Sequence, residues 1–100
     1  MDEIFAIHKF CQRVCKLALE DLSLNGIDIL LRHTQEELGE FAAALSIEQG
    51  VKNKPLRESS KVESLDTVIC ALSLYYASGG TNEELETIGQ QKLDKWEKRL

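Results

Sequence analysis

A single proline, Pro55, and six glycines are the only strong punctuation in this chain of 100 residues. No stretch alternates apolar and polar residues with the period of two that a half-buried strand requires. Apolar residues instead recur at steps of three and four along most of the sequence. A chain so patterned and so sparsely broken folds as helices joined by short turns. The expected fold class is all-α: a four-helix, antiparallel, bundle-like domain over residues 1–100, completed by oligomerisation.

The helix boundaries follow from local signals. The first helix is expected over about residues 2–22, with Asp2 as N-cap and Ile4, Ile7, Cys11, Val14 and Ala18 on one face. Phe5, Phe10 and Leu17 widen that face beyond a single stripe, so a second subunit is expected to cover part of it. Ser23-Leu24-Asn25-Gly26 reads as the first break. A second helix runs over about residues 27–49 and stops at Gly50. Gly39 lies inside it, at a cost of roughly 1 kcal/mol against alanine, a placement suited to close approach of a backbone or ligand. Residues 51–57, with three positive charges and the proline, read as an exposed loop. Ser59 or Ser60 caps the third helix, and Glu63 stands three residues after Ser60 as in a capping box. That helix continues along Val62, Leu65, Ile69, Leu72 and Tyr76 to about residue 78, where Gly79-Gly80 ends it. Thr81, with Glu84 three residues on, caps the fourth helix, whose end is basic where a helix dipole favours cations.

Bulk properties exclude several functions. A net charge of −5 disfavours a nucleic-acid backbone as partner, since that work needs a basic face. A nucleotide remains compatible when a metal supplies the positive charge. No apolar run has the length of a membrane span and no signal-peptide pattern is present, so no membrane partner is expected. Three cysteines, an odd number, fit reduced thiols and a cytoplasmic location.

The chemistry lies in two acidic pairs. Glu37 and Glu40 stand three residues apart, as do Glu63 and Asp66, so each pair projects from one helix face. Each borders an apolar seam: Leu38, Phe41 and Leu45 on one helix, Leu65, Ile69 and Leu72 on the other. The 22 residues between Glu40 and Glu63 suffice to finish one helix, turn and begin the next, so the pairs can face each other. Carboxylates gathered beside a core are costly unless a positive group holds them, and a hard divalent cation with oxygen ligands is the simplest candidate. Solvated helix faces also carry Glu-x-x-Glu; two such pairs at this spacing, both beside apolar seams, are the more specific signal.

In this arrangement, and in its Glu36-Glu37-Leu38-Gly39-Glu40 motif, the sequence from about residue 31 to residue 100 resembles the MazG-like nucleoside triphosphate pyrophosphohydrolases, the all-α NTP pyrophosphatase superfamily. Family members often read Glu-Leu-Gly-Asp at the second motif, where this chain reads Glu63-Ser64-Leu65-Asp66. The resemblance implies that Glu37, Glu40, Glu63 and Asp66 bind Mg2+, with Mn2+ able to substitute. It implies hydrolysis of a nucleoside triphosphate to its monophosphate and pyrophosphate, in nucleotide-pool house-cleaning, by a homodimer or homotetramer. It also implies that Lys92, Lys95 and Arg99 contact phosphates. Glu36 or Glu37 would orient or deprotonate the attacking water. His33, a turn before Glu37, is a candidate pocket residue.

Other readings stay open at this point. A related enzyme would act on dUTP or on a phosphoribosyl nucleotide. A non-catalytic helical dimerisation module or antitoxin-like regulator would have no use for four carboxylates across one helix pair. His8, Cys11 and Cys15 fall at zinc-like helical spacing without a fourth ligand, and buried packing is the simpler role for both thiols.

Overall fold

The computed structural model describes residues 3–100, with side chains for all of these except Ile4 and Phe5. The expected cap Asp2 lies outside the described residues. Four helices follow in order: α1 (Glu3–Asn25), α2 (Ile27–Glu48), α3 (Ser60–Ala77) and α4 (Asn82–Arg99). The described residues contain no strand. The first break is tighter than its composition implied. Asn25 stays in α1, its amide donating to Asp21 at 2.6 Å, and Gly26 alone separates the two helices.

The other ends follow their capping residues. Gly50 (φ 76°) and Gly79 (φ 94°) occupy the left-handed region that L side chains avoid. After α2, the Gly50 N–H donates to Ile47 O and the Val51 N–H to Ser46 O. After α3, Gly79 and Gly80 donate to Tyr76 O and Tyr75 O in the same way. Both are Schellman closures, which satisfy carbonyls that the helix itself leaves unpaired. At the start of α4, Thr81 Oγ1 accepts from the Glu84 N–H and donates to Glu84 Oε1, each at 3.1 Å. The α3 start differs from the expected box. Ser59 is the N-cap, accepting from the Val62 N–H, so Glu63 lies one residue too late to reach back, and its carboxylate is left for the α2–α3 interface.

Most packing is between α2 and α3, then between α1 and α3. Val14 and Ala18 of α1 meet Tyr76 of α3 in a small core, flanked by Cys11, Cys15, Leu72 and Tyr75. Leu30 and Ala44 of α2 are also buried. Burying a valine or leucine side chain stabilises by roughly 1.5–3 kcal/mol, but few do so here. Ile7 is 64% exposed, Leu38 55% and Leu65 54%. Cys11 and Cys15 thus serve as packing residues, and Val14, expected on an intersubunit face, belongs to the chain's own core.

Helix α4 stands apart from this core. None of its residues is buried. Its first turn is tied down by Tyr76, whose hydroxyl donates to Asn82 Oδ1 at 2.6 Å; burial and the neighbouring Cys11 push that phenol's pKa up to about 12. The radius of gyration is 15.7 Å, against about 13 Å for a compact chain of 100 residues.

Two glycines give opposite expectations. A Cβ at Gly39 meets nothing within 4 Å, so within the chain the close approach read from sequence is absent. A Cβ at Gly80 would fall on the Tyr75 ring, which is held by its hydroxyl donating to Thr81 O at 2.6 Å. Gly39→Ala should therefore stabilise by about 1 kcal/mol through helix propensity, and Gly80→Ala should destabilise by about 1–3 kcal/mol through overpacking. Denaturant titrations of both variants against wild type check the two signs.

Candidate metal site between α2 and α3

Glu37 is in the middle of α2; Glu63 and Asp66 are in the first two turns of α3. Helical spacing of three puts the last two on one face, and antiparallel packing turns that face onto Glu37. One carboxylate oxygen from each of Glu37, Glu63 and Asp66 can be chosen so that all three lie within 4.8 Å of one another. Glu63 is only 8% exposed, while Glu37 and Asp66 are half-buried. Glu37 Oε2 and Glu63 Oε2 are both buried without a hydrogen-bond partner among the described residues.

The electrostatics agree with that geometry. Burial raises the Glu37 pKa first, with Glu40, Asp66 and Glu63 adding repulsion. Burial also raises Glu63, helped by Glu58, Glu40 and Asp66 and opposed by Arg57. Glu40 is thus a close electrostatic neighbour of both, though exposed and outside the set of three mutually close oxygens. Three neighbouring carboxylates, two of them with orphaned buried oxygens, fit a hard divalent cation, which supplies positive charge and takes oxygen ligands.

The rotation of α3 differs from the sequence expectation. Glu63 and Asp66 turn inward, whereas Leu65 and Ile69 of the expected seam are 54% and 39% exposed. Leu38, the matching residue on α2, is exposed as well. The acidic residues therefore occupy the interface, and part of the apolar stripe faces away from it.

The remaining site candidates lie elsewhere. Glu36 and His33 are exposed on α2, and Lys92, Lys95 and Arg99 are exposed on α4. None of these five is among the charges that act on Glu37 or Glu63. The cation that does act there is Arg57, on the loop that is exposed as the sequence implied. Together with Lys54 it lines a cavity of about 320 Å3 that also reaches Glu40 and Glu63. Position in a charged, proline-containing loop gave no signal of this placement.

No family model, curated protein or solved structure matches the chain.

The raised pKa values give a signed expectation. As pH rises from the ordinary glutamate range, the unfolded chain loses these protons before the folded chain does, so metal-free stability falls through that window. It stays low above the raised values. Glu63→Gln removes one such group and should melt higher than wild type at neutral pH without metal, the difference shrinking toward zero in acid. Added Mg2+ should raise the wild-type melting temperature and reduce that advantage. Thermal melts across pH, with chelator and with Mg2+, test all three statements.

Proposed function

We propose that the chain is a Mg2+-dependent nucleoside triphosphate pyrophosphohydrolase. The observation that carries this reading is the set of three carboxylates at the α2–α3 interface, two with buried oxygens that no hydrogen bond satisfies. Buried carboxylates are retained where a cation or a proton compensates them. Glu37, Glu63 and Asp66 would hold the metal, with Glu40 beside them completing the acidic set. When bound, Mg2+ neutralises phosphate charge and supplies Lewis acidity.

The protein groups do the rest. Of the two expected bases, Glu37 stands in the cluster and Glu36 is exposed outside it; Glu37 would orient the attacking water and take its proton on a carboxylate oxygen not used as a ligand. The water oxygen bonds to the α-phosphorus, the bridging bond to the β-phosphate breaks, and pyrophosphate leaves with that electron pair. A non-catalytic helical module would gain nothing from the repulsion among these side chains. Within the enzyme reading, a non-standard or surplus dNTP, dUTP and a phosphoribosyl nucleotide differ in what the pocket recognises rather than in the carboxylates.

The partner in this reading is a second copy of the chain. Leu38, Leu65 and Ile69 on α2 and α3, and Ile7, Phe10 and Leu17 on α1, are all more than a third exposed. Apolar surface spread over a small, open core is stabilised by association. No helix among the described residues is long and apolar enough to cross a membrane.

A panel of NTPs, dNTPs and a phosphoribosyl nucleotide with Mg2+, scored for pyrophosphate against orthophosphate, tests the activity. Pyrophosphate release from at least one substrate is the expected result. Asp66→Asn should lower kcat/KM by at least about 100-fold, since it removes a metal ligand, where losses already reach 10–100-fold for residues that only support ligands. Unchanged activity in Asp66→Asn with normal helix content would refute the assignment.

A further inference from the structure

The α2–α3 loop is held at both ends. The Schellman closure at Gly50 fixes its start, where the Val51 N–H donates to Ser46 O at 2.9 Å and the Lys52 N–H to the same oxygen at 3.3 Å. At its far end, Glu48 Oε2 accepts from the Ser60 N–H at 2.9 Å, and the Ser60 side chain and N–H together lower the Glu48 pKa. The end of α2 is thereby joined to the start of α3 across an exposed loop. Pro55 removes one backbone freedom from its middle.

The loop forms one wall of the cavity of about 320 Å3 beside the carboxylates. Ala43, Ala44 and Ile47 of α2 contribute apolar lining, and Glu40 and Glu63, neighbours of the carboxylate cluster, line it too. Glu63 lines this space with its Oε2 buried and unpartnered. Lys54 and Arg57, both exposed, line the same cavity. Arg57 acts electrostatically on Glu63, but no hydrogen bond or close ion pair engages either cation among the described residues. Two uncommitted cations, an apolar lining and a buried acidic edge together describe a pocket for an organic phosphate. A guanidinium offers paired donors suited to phosphate oxygens, and an ammonium adds a compact charge.

Resting on the phosphohydrolase reading above, we propose that Arg57 and Lys54 are substrate-binding residues that hold the polyphosphate chain in this cavity. Cations at the end of α4 are not required for that contact. The loop places positive charge next to the one part of the molecule where a polyphosphate would approach carboxylates. It thereby reduces the repulsion that a net charge of −5 would otherwise impose on an anionic substrate.

The test uses magnesium tripolyphosphate as probe, titrated calorimetrically into the full chain. Arg57→Gln should weaken its binding at least about 10-fold, as loss of a charge-assisted contact implies, and Lys54→Gln should weaken it in the same direction. Lys95→Gln, with the same change in net charge on α4, should stay within about twofold of wild type. In the hydrolysis assay Arg57→Gln should raise KM while leaving kcat close to wild type. The Mg2+-induced rise in melting temperature should persist in Arg57→Gln, and it reports on the carboxylate site separately. Wild-type protein that shows this rise but does not bind tripolyphosphate overturns the loop assignment and leaves the metal reading standing. Absence of the rise counts against the metal reading itself. Binding by Arg57→Gln within twofold of wild type, or equal weakening by Lys95→Gln, would also overturn the proposal.

Discussion

Packing of α2 on α3 brings Glu37, Glu63 and Asp66 close enough to repel one another inside the interface that does most to hold the chain together. Solvent would separate or screen these charges at a surface; at this interface burial and proximity act in the same direction on Glu37 and Glu63. The fold therefore carries a destabilising element at its best-packed contact, and the rest of the structure is arranged around it. Ser59 rather than Ser60 caps α3, which leaves the Glu63 carboxylate free. The Glu48–Ser60 hydrogen bond fixes the start of α3 against the end of α2. A divalent cation would convert the repulsion into a bonded centre, and the proposed function would then be coupled to stability.

Much of this was legible before any coordinates. The four helices follow from apolar steps of three and four, and their ends from Gly50, Gly79, Thr81 and Glu84, each a local signal with a local cause. The acidic pairs were legible because spacing within a helix fixes facing, and the intervening length permits an antiparallel return. The rotation of α3 was not. Val62, Leu65 and Ile69 form one stripe of that helix and Glu63, Asp66 and Cys70 another, and periodicity alone does not say which one turns inward. Burial preference favours the apolar stripe, and the structure buries part of the acidic one.

The loop is exposed between helices, as its composition implied, but its place beside the carboxylates was not legible. Lys54, Pro55 and Arg57 have the composition of a solvated connection, and nothing local states that both ends are hydrogen-bonded to the helices. Nor does composition reveal that α4 contributes no buried residue. Its Thr81–Glu84 cap starts a good helix, but Leu93 and Trp96 are each more than half exposed, so the helix forms without closing the core. The exposed apolar residues of α1, α2 and α3 likewise mark a fold whose single chain leaves much of its hydrophobic surface uncovered.

In the proposed reading one metal position between α2 and α3 accounts for the buried carboxylates, and locating that metal is the most direct measurement. Crystals grown with Mn2+ in place of Mg2+ and measured at the manganese absorption edge would show the ion in an anomalous difference map. The expected result is a peak within ligand distance, about 2.0–2.4 Å for a hard divalent cation of this size, of oxygens from Glu37, Glu63 and Asp66. Ordered Glu37, Glu63 and Asp66 side chains with no peak between them, or manganese bound only at other surface carboxylates, would contradict it.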